Sequence, residues 1–167
     1  MPTTVKIPLE LLTVEVNSGN CFWTAKSGTN LDQSYIAFVD SGRGVATFWG
    51  YVPNNLAASP LWSLDAIHTV DSGSGGNVIV SVYGRSTSHT STIDIAPTLL
   101  VSSASISTQT SNVVTYSSLS GGNFDGVVAL SATNYLFVKF YRHADSSGDT
   151  ISAQWNLMSL VLRCDVA

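Results

Sequence analysis

The chain has 167 residues, of which 44% are hydrophobic and only 11% charged, with a net charge of −4. An average protein carries about 25% charged residues, and a disordered tail combines low hydrophobicity with high net charge, so that class is excluded. A nucleic-acid-binding surface is not expected either, because the seven Lys and Arg residues are scattered and no two are adjacent.

At the start of the chain, Pro2 and Pro8 disfavour regular structure. Residues 1–9 are therefore expected as an arm lying on a neighbour, the alternative being a frayed terminus. MPTTVKIPLELL has one Lys and no long apolar run, so a secretory signal is not expected. No stretch reaches the ~18 apolar residues of a membrane-spanning helix.

From residue 10 onward the chain reads as one domain of short strands. Period-two alternation is strongest at 45–52, 77–85, 134–142 and 157–164. In VATFWGYV, Val45, Thr47, Trp49 and Tyr51 share one face and Ala46, Phe48, Gly50 and Val52 the other. In NYLFVKFYR, Leu136, Val138 and Phe140 oppose Phe137, Lys139 and Tyr141. Weaker strand signals lie at 9–16, 34–39, 61–69, 90–95, 113–117 and 127–131. PNNLAAS (53–59) suggests one short helical turn. TLLVSSASIS (98–107) is ambiguous, a loop or irregular strand in a Ser/Thr-rich crossover over 100–120. Turn clusters such as NSGN (17–20), DSGRG (40–44), DSGSGG (71–76), SGGNFDG (120–126) and DSSGD (145–149) separate the strands. The pattern predicts an all-β, jelly-roll-like β-sandwich of about eight to ten antiparallel strands with little helix, a single domain over 10–167.

Chemistry-bearing motifs are sparse. His68, His89 and His143 each adjoin Ser, Thr or Asp, but with 41 Ser and Thr residues such adjacency is expected by chance, and no G-x-S-x-G elbow occurs. Asp145 and Asp149 share a loop, Asp94 and Asp125 are isolated, and the only glutamates are Glu10 and Glu15. That is no carboxylate pair for glycoside hydrolysis. DSSGD lacks calcium-loop spacing, and no Cys/His cluster has zinc spacing. No catalytic, metal or cofactor site is expected. Cys21 and Cys164 are expected as two reduced, buried thiols, a bridge requiring Cα atoms within ~7 Å. Trp23, Trp49, Trp62 and Trp155 are candidates for sugar stacking or for packing. Trp49, among dense apolar neighbours, is expected in the core.

So few charges imply either a neutral polar coat or protein neighbours over much of the surface, and the chain is expected to assemble. Three stretches extend this: NYLFVKFYRHADSSGDTISAQWNLMSLVLRCDV (134–166), IAFVDSGRGVATFWGYVPNN (36–55) and GGNVIVSVYGR (75–85). Together, over less than half of the chain, they resemble jelly-roll virion structural proteins of tailed bacteriophages, which decorate capsids or occur in fibres and spikes. The resemblance implies a non-enzymatic capsid decoration (cement) protein on the virion surface, homotrimeric and bound to the major capsid protein. It would use no nucleic acid, membrane or cofactor. Within it, Arg142 and Asp149 match a recurrent Arg and Asp, expected to pin the last hairpin as an ion pair. Tyr51, Trp62 and Trp155 are the expected subunit contacts. The alternative is a tail-fibre or spike domain recognising host surface glycans through exposed aromatics and the loops 71–76 and 145–149.

Overall fold

Among the described residues, alternating burial builds ten strands: β1 (Thr3–Val14), β2 (Cys21–Ser27), β3 (Asp32–Phe38), β4 (Arg43–Tyr51), β5 (Trp62–Val70), β6 (Asn77–Thr87), β7 (Thr98–Ser107), β8 (Thr115–Ser118), β9 (Tyr135–His143) and β10 (Trp155–Val166). The computed structural model describes residues 2–14, 20–27, 32–73, 75–88, 96–119 and 124–167. All pairings are antiparallel and form two layers of a jelly-roll-type sandwich. In the first sheet β10 pairs with β5, and β5 with β8. The other edge of β10 takes β3, itself paired with β2, at Trp155–Leu157, and β1 at Leu160–Val166. The second sheet runs β1–β4–β9–β6–β7.

β1 belongs to both sheets. Thr3–Leu9 pair with β10, then Glu10–Val14 pair with β4, with a register shift between Leu11 and Thr13. The segment expected as an arm is therefore a strand. Its inward Val5, Ile7 and Leu9 alternate with exposed Thr4, Lys6 and Pro8, and this periodicity outweighs the prolines. Pro8 faces Val161 of β10 and has no ladder on its other side among the described residues, where a missing N–H is tolerated.

Other departures are local. β7 is a full strand across the segment read as irregular, with register shifts opposite Val82 and a positive φ of 49° at Ser103. Residues 53–59 form a turn and a bridge at Leu56 rather than a helix, and 127–131 hold no strand. The strand signal at 90–95 lies outside the described residues.

The core is built from both layers. The first sheet supplies Phe38, Trp62, Leu64, Trp155, Leu157 and Leu162; the second supplies Phe48, Val80, Val82, Leu136, Val138 and Phe140. Trp155 stacks on Phe140 of the opposite sheet (centroids 5.8 Å apart, planes at 15°) and meets Phe38 at 5.5 Å. Trp62 lies edge-on to Phe124 at 5.0 Å and donates its Nε1–H to the Val128 carbonyl at 2.9 Å. Trp62 and Trp155 are thus 1% and 0% exposed, which corrects their expected role as subunit contacts. Each indole N–H finds an internal acceptor, so the whole ring can leave water. Cys21 and Cys164 are free and buried.

Candidate functional site

The outward face of the second sheet is aromatic where an exposed sheet face is ordinarily polar. Strands β4, β9 and β6 are neighbours, and their outward residues interleave. Tyr51 faces Tyr135, Trp49 faces Phe137, and Thr47 faces Lys139. On the other side of β9, Arg85 faces Phe137, Tyr83 faces Lys139, and Ser81 faces Tyr141. Six rings are thereby gathered on three strands. Tyr135 lies 5.5 Å from Trp49, 5.1 Å from Tyr51 and 6.4 Å from Phe137, and Tyr83 meets Tyr141 edge-on at 5.3 Å. Five of the rings are half-buried, and Tyr51 is 43% exposed.

A lysine and a histidine are threaded between the rings. Lys139 Nζ stands 5.5 Å from the centre of Tyr141. His143 stacks on the same ring at 6.2 Å, with Nε2 2.8 Å from Ser81 Oγ. Burial, then the Arg43 charge, lowers the His143 pKa below its ordinary value. Half-buried rings offer apolar faces, Tyr hydroxyls offer polar tips, and a contiguous patch of this kind marks a binding surface. Of this face only Tyr51 was singled out from the sequence as a contact residue. Trp49, expected in the core, points outward. The signal that could have found the site is the run Tyr135, Phe137, Lys139, Tyr141, whose alternation opposes the aliphatic set.

Arg142 takes the inward side of β9 and is fully buried. Its Nε and Nη2 grip the two oxygens of Asp149 at 3.0 and 2.9 Å. Its donors also reach the carbonyls of Phe38 (3.0 Å), Val39 (3.3 Å), Ala153 (3.1 Å) and Ile151 (2.9 Å), and Nη2 lies 3.5 Å from Asp40 Oδ1. Asp149 also accepts from the Ile79 N–H at 3.2 Å. The expected partners therefore meet, but they do not pin a hairpin. β9 and β10 lie in different sheets, so the pair anchors the crossover between the layers to the end of β3. Asp145 instead pairs with Arg43 at 3.4 Å on the surface.

The remaining candidates do not converge. His68 is buried and bonded to Trp155 and Ser117. His89, Asp94 and Glu15 lie outside the described residues. Asp71, at the head of the 71–76 loop, accepts from Gln154 and Asn156 at 3.2 and 3.0 Å. Trp23 is 56% exposed and borders a cleft of about 560 Å³ where β1 leaves β10. Among the described residues no group of three or more His, Cys, Asp or Glu side chains is placed to hold a metal ion.

No protein-family model matches this chain, and no curated protein is similar to it in sequence. Solved structures are similar in fold. An isomalto-dextranase from Arthrobacter globiformis T6, complexed with panose, superposes with a TM-score of 0.54 at 15% identity. The match takes in 95% of this chain, which spans 23% of that enzyme's length. A family 11 carbohydrate-binding module from Clostridium thermocellum, in complex with a β-1,3-1,4-mixed-linked tetrasaccharide, gives 0.41 at 11% identity over 96% of this chain and 87% of its own. An exo-β-1,3-galactanase from Phanerochaete chrysosporium, with galactose, gives 0.37 at 14% identity over 97% and 29%. At 15% identity the isomalto-dextranase likeness establishes the shared β-sandwich fold and nothing finer.

Proposed function

We propose that this chain is a non-catalytic virion protein of a tailed phage, a fibre or spike domain that binds host surface glycans on the outward face of its second sheet. The observation that carries the reading is the six-ring array of Trp49, Tyr51, Tyr83, Tyr135, Phe137 and Tyr141 on three adjacent strands. Sugar rings stack on aromatic faces through their apolar C–H sides, and neighbouring hydroxyls and cations take the sugar oxygens. The sandwich fold also occurs over 23% of the length of one sugar-handling enzyme, the isomalto-dextranase, although function rests on the site and not on the fold. A glycan array probed with the purified protein should give hits that Trp49→Ala and Tyr135→Ala abolish. Hits that survive both substitutions would place binding elsewhere.

A second reading, a homotrimeric capsid decoration protein bound to the major capsid protein, is favoured by the apolar run beside the short edge strand β8. Val113, Val114 and Tyr116 are 45%, 53% and 49% exposed there. Copy number in purified particles separates the two readings: hundreds per virion support decoration, and a few to tens support a fibre.

A further inference from the structure

We infer that the sugar-binding surface continues from the aromatic face round β1 into the cleft beside Trp23, so that the ligand is an oligosaccharide chain stacked at both places. This rests on the glycan-binding reading and narrows it to a ligand class.

Trp23 occupies a position that belongs to the core. In register it continues a row of the first sheet that runs through Ile36, Leu157 and His68. Those three are buried, while Trp23 stands in water at the end of the row. The ladder explains the opening. β3 pairs with β10 only as far as Leu157, and β1 joins β10 only from Leu160. Met158 and Ser159 therefore have no strand on that edge among the described residues. β10 shifts register against β5 at the same place, and β1 shifts against β4 between Leu11 and Thr13. Such irregularities are common beside binding sites. The cleft they leave has Trp23 and Ile36 of the first sheet and Leu11 and Phe48 of the second on its walls. Its volume of about 560 Å³ suits a small-molecule site.

Glu10 joins this cleft to the aromatic face. It borders the cleft, and its register partner on β4 is Trp49. A chain stacked on Trp49 meets Glu10 next and Trp23 beyond it. One strand spacing and one layer spacing put the backbones of the two tryptophans on the order of 15 Å apart, more than one sugar ring spans. Indole faces take the C–H sides of the rings, and the Glu10 carboxylate accepts from hydroxyls between them. A purely apolar ligand would leave Glu10 unused.

The test follows the indole N–H signals in proton–nitrogen correlation spectra, assigned with Trp23→Phe and Trp49→Phe. The protein is titrated with glucose, galactose and mannose, and with oligosaccharides of each in increasing length. Single sugars should move the Trp49 signal. Longer chains should move the Trp23 signal as well and bind at least about tenfold tighter. The signals of Trp62 and Trp155, buried on internal acceptors, should stay in place. Trp23→Ala should remove the gain with length, and Glu10→Gln should reduce it; circular dichroism checks that each variant is folded. A Trp23 signal that stays still while Trp49 responds, or a gain with length that survives Trp23→Ala, overturns this inference and leaves the glycan reading standing. An equal shift of Trp23 with cyclohexanol marks the cleft as an apolar pocket and overturns it too. No response of either signal to any sugar overturns both.

Discussion

Trp155 donates its indole N–H to Nδ1 of His68 across 3.1 Å, deep in the core where both side chains are fully buried. Nε2 of His68 lies 2.9 Å from Ser117 Oγ, so the network assigns the neutral tautomer with its proton on Nε2. Burial lowers the His68 pKa from 6.5 to about 4. The folded protein therefore resists a proton that the unfolded chain accepts. Stability is full above pH ~6.5 and falls as pH drops from there toward ~4, by about 3 kcal/mol in all. Urea midpoints should decline across this window, and His68→Gln should flatten the decline. An unchanged midpoint between neutral pH and pH ~5 would contradict the linkage.

Arg142 and Asp149 form a buried bidentate pair, so removing either leaves a charge without its counterpart. Arg142→Met should cost about 3–5 kcal/mol. Arg142→Lys should not restore stability, because an ammonium cannot reproduce the fork. Asp149→Asn should cost less than Arg142→Met, since Arg142 also serves four backbone carbonyls. Equal midpoints for wild type and Arg142→Met would show that the crossover is held by other contacts.

Tryptophans on the two sides of the second sheet should behave oppositely. Trp155→Ala opens a cavity between the layers and should cost about 3–5 kcal/mol. Trp49→Ala removes a half-buried outward ring, so thermal stability should fall less while glycan binding is lost. A larger stability loss for Trp49→Ala would reassign that face to folding.

Both thiols should be slow to react. Burial pushes the Cys21 pKa up to about 12. Burial, and then the nearby Asp165 carboxylate, raise that of Cys164. Because the thiolate is the nucleophile, labelling by a thiol reagent at neutral pH should follow unfolding, with both sites modified only in denaturant. Rapid modification of the native protein would show a local opening at β2 or β10.

Strong alternation makes β4, β6, β9 and β10 legible in the sequence. Their layering is not. In VATFWGYV both faces are apolar, so periodicity shows that Trp49 and Phe48 point apart without saying which meets the core. That choice is made by partners distant in sequence, here Leu11 of β1 and Val138 of β9 opposite Phe48. The same non-locality hid the aromatic face, since its rings come from three strands whose adjacency only the fold decides. Trp62 and Trp155 were misjudged because their internal N–H acceptors, Val128 and His68, are far along the chain. β1 was obscured by its prolines, and β7 by a Ser/Thr-rich composition that suits loops equally well.

β1 threads from one layer into the other, and this ties their fates together. A tug on the amino end loads β10 and β4 through a single strand, so the two halves of the sandwich should give way together under force.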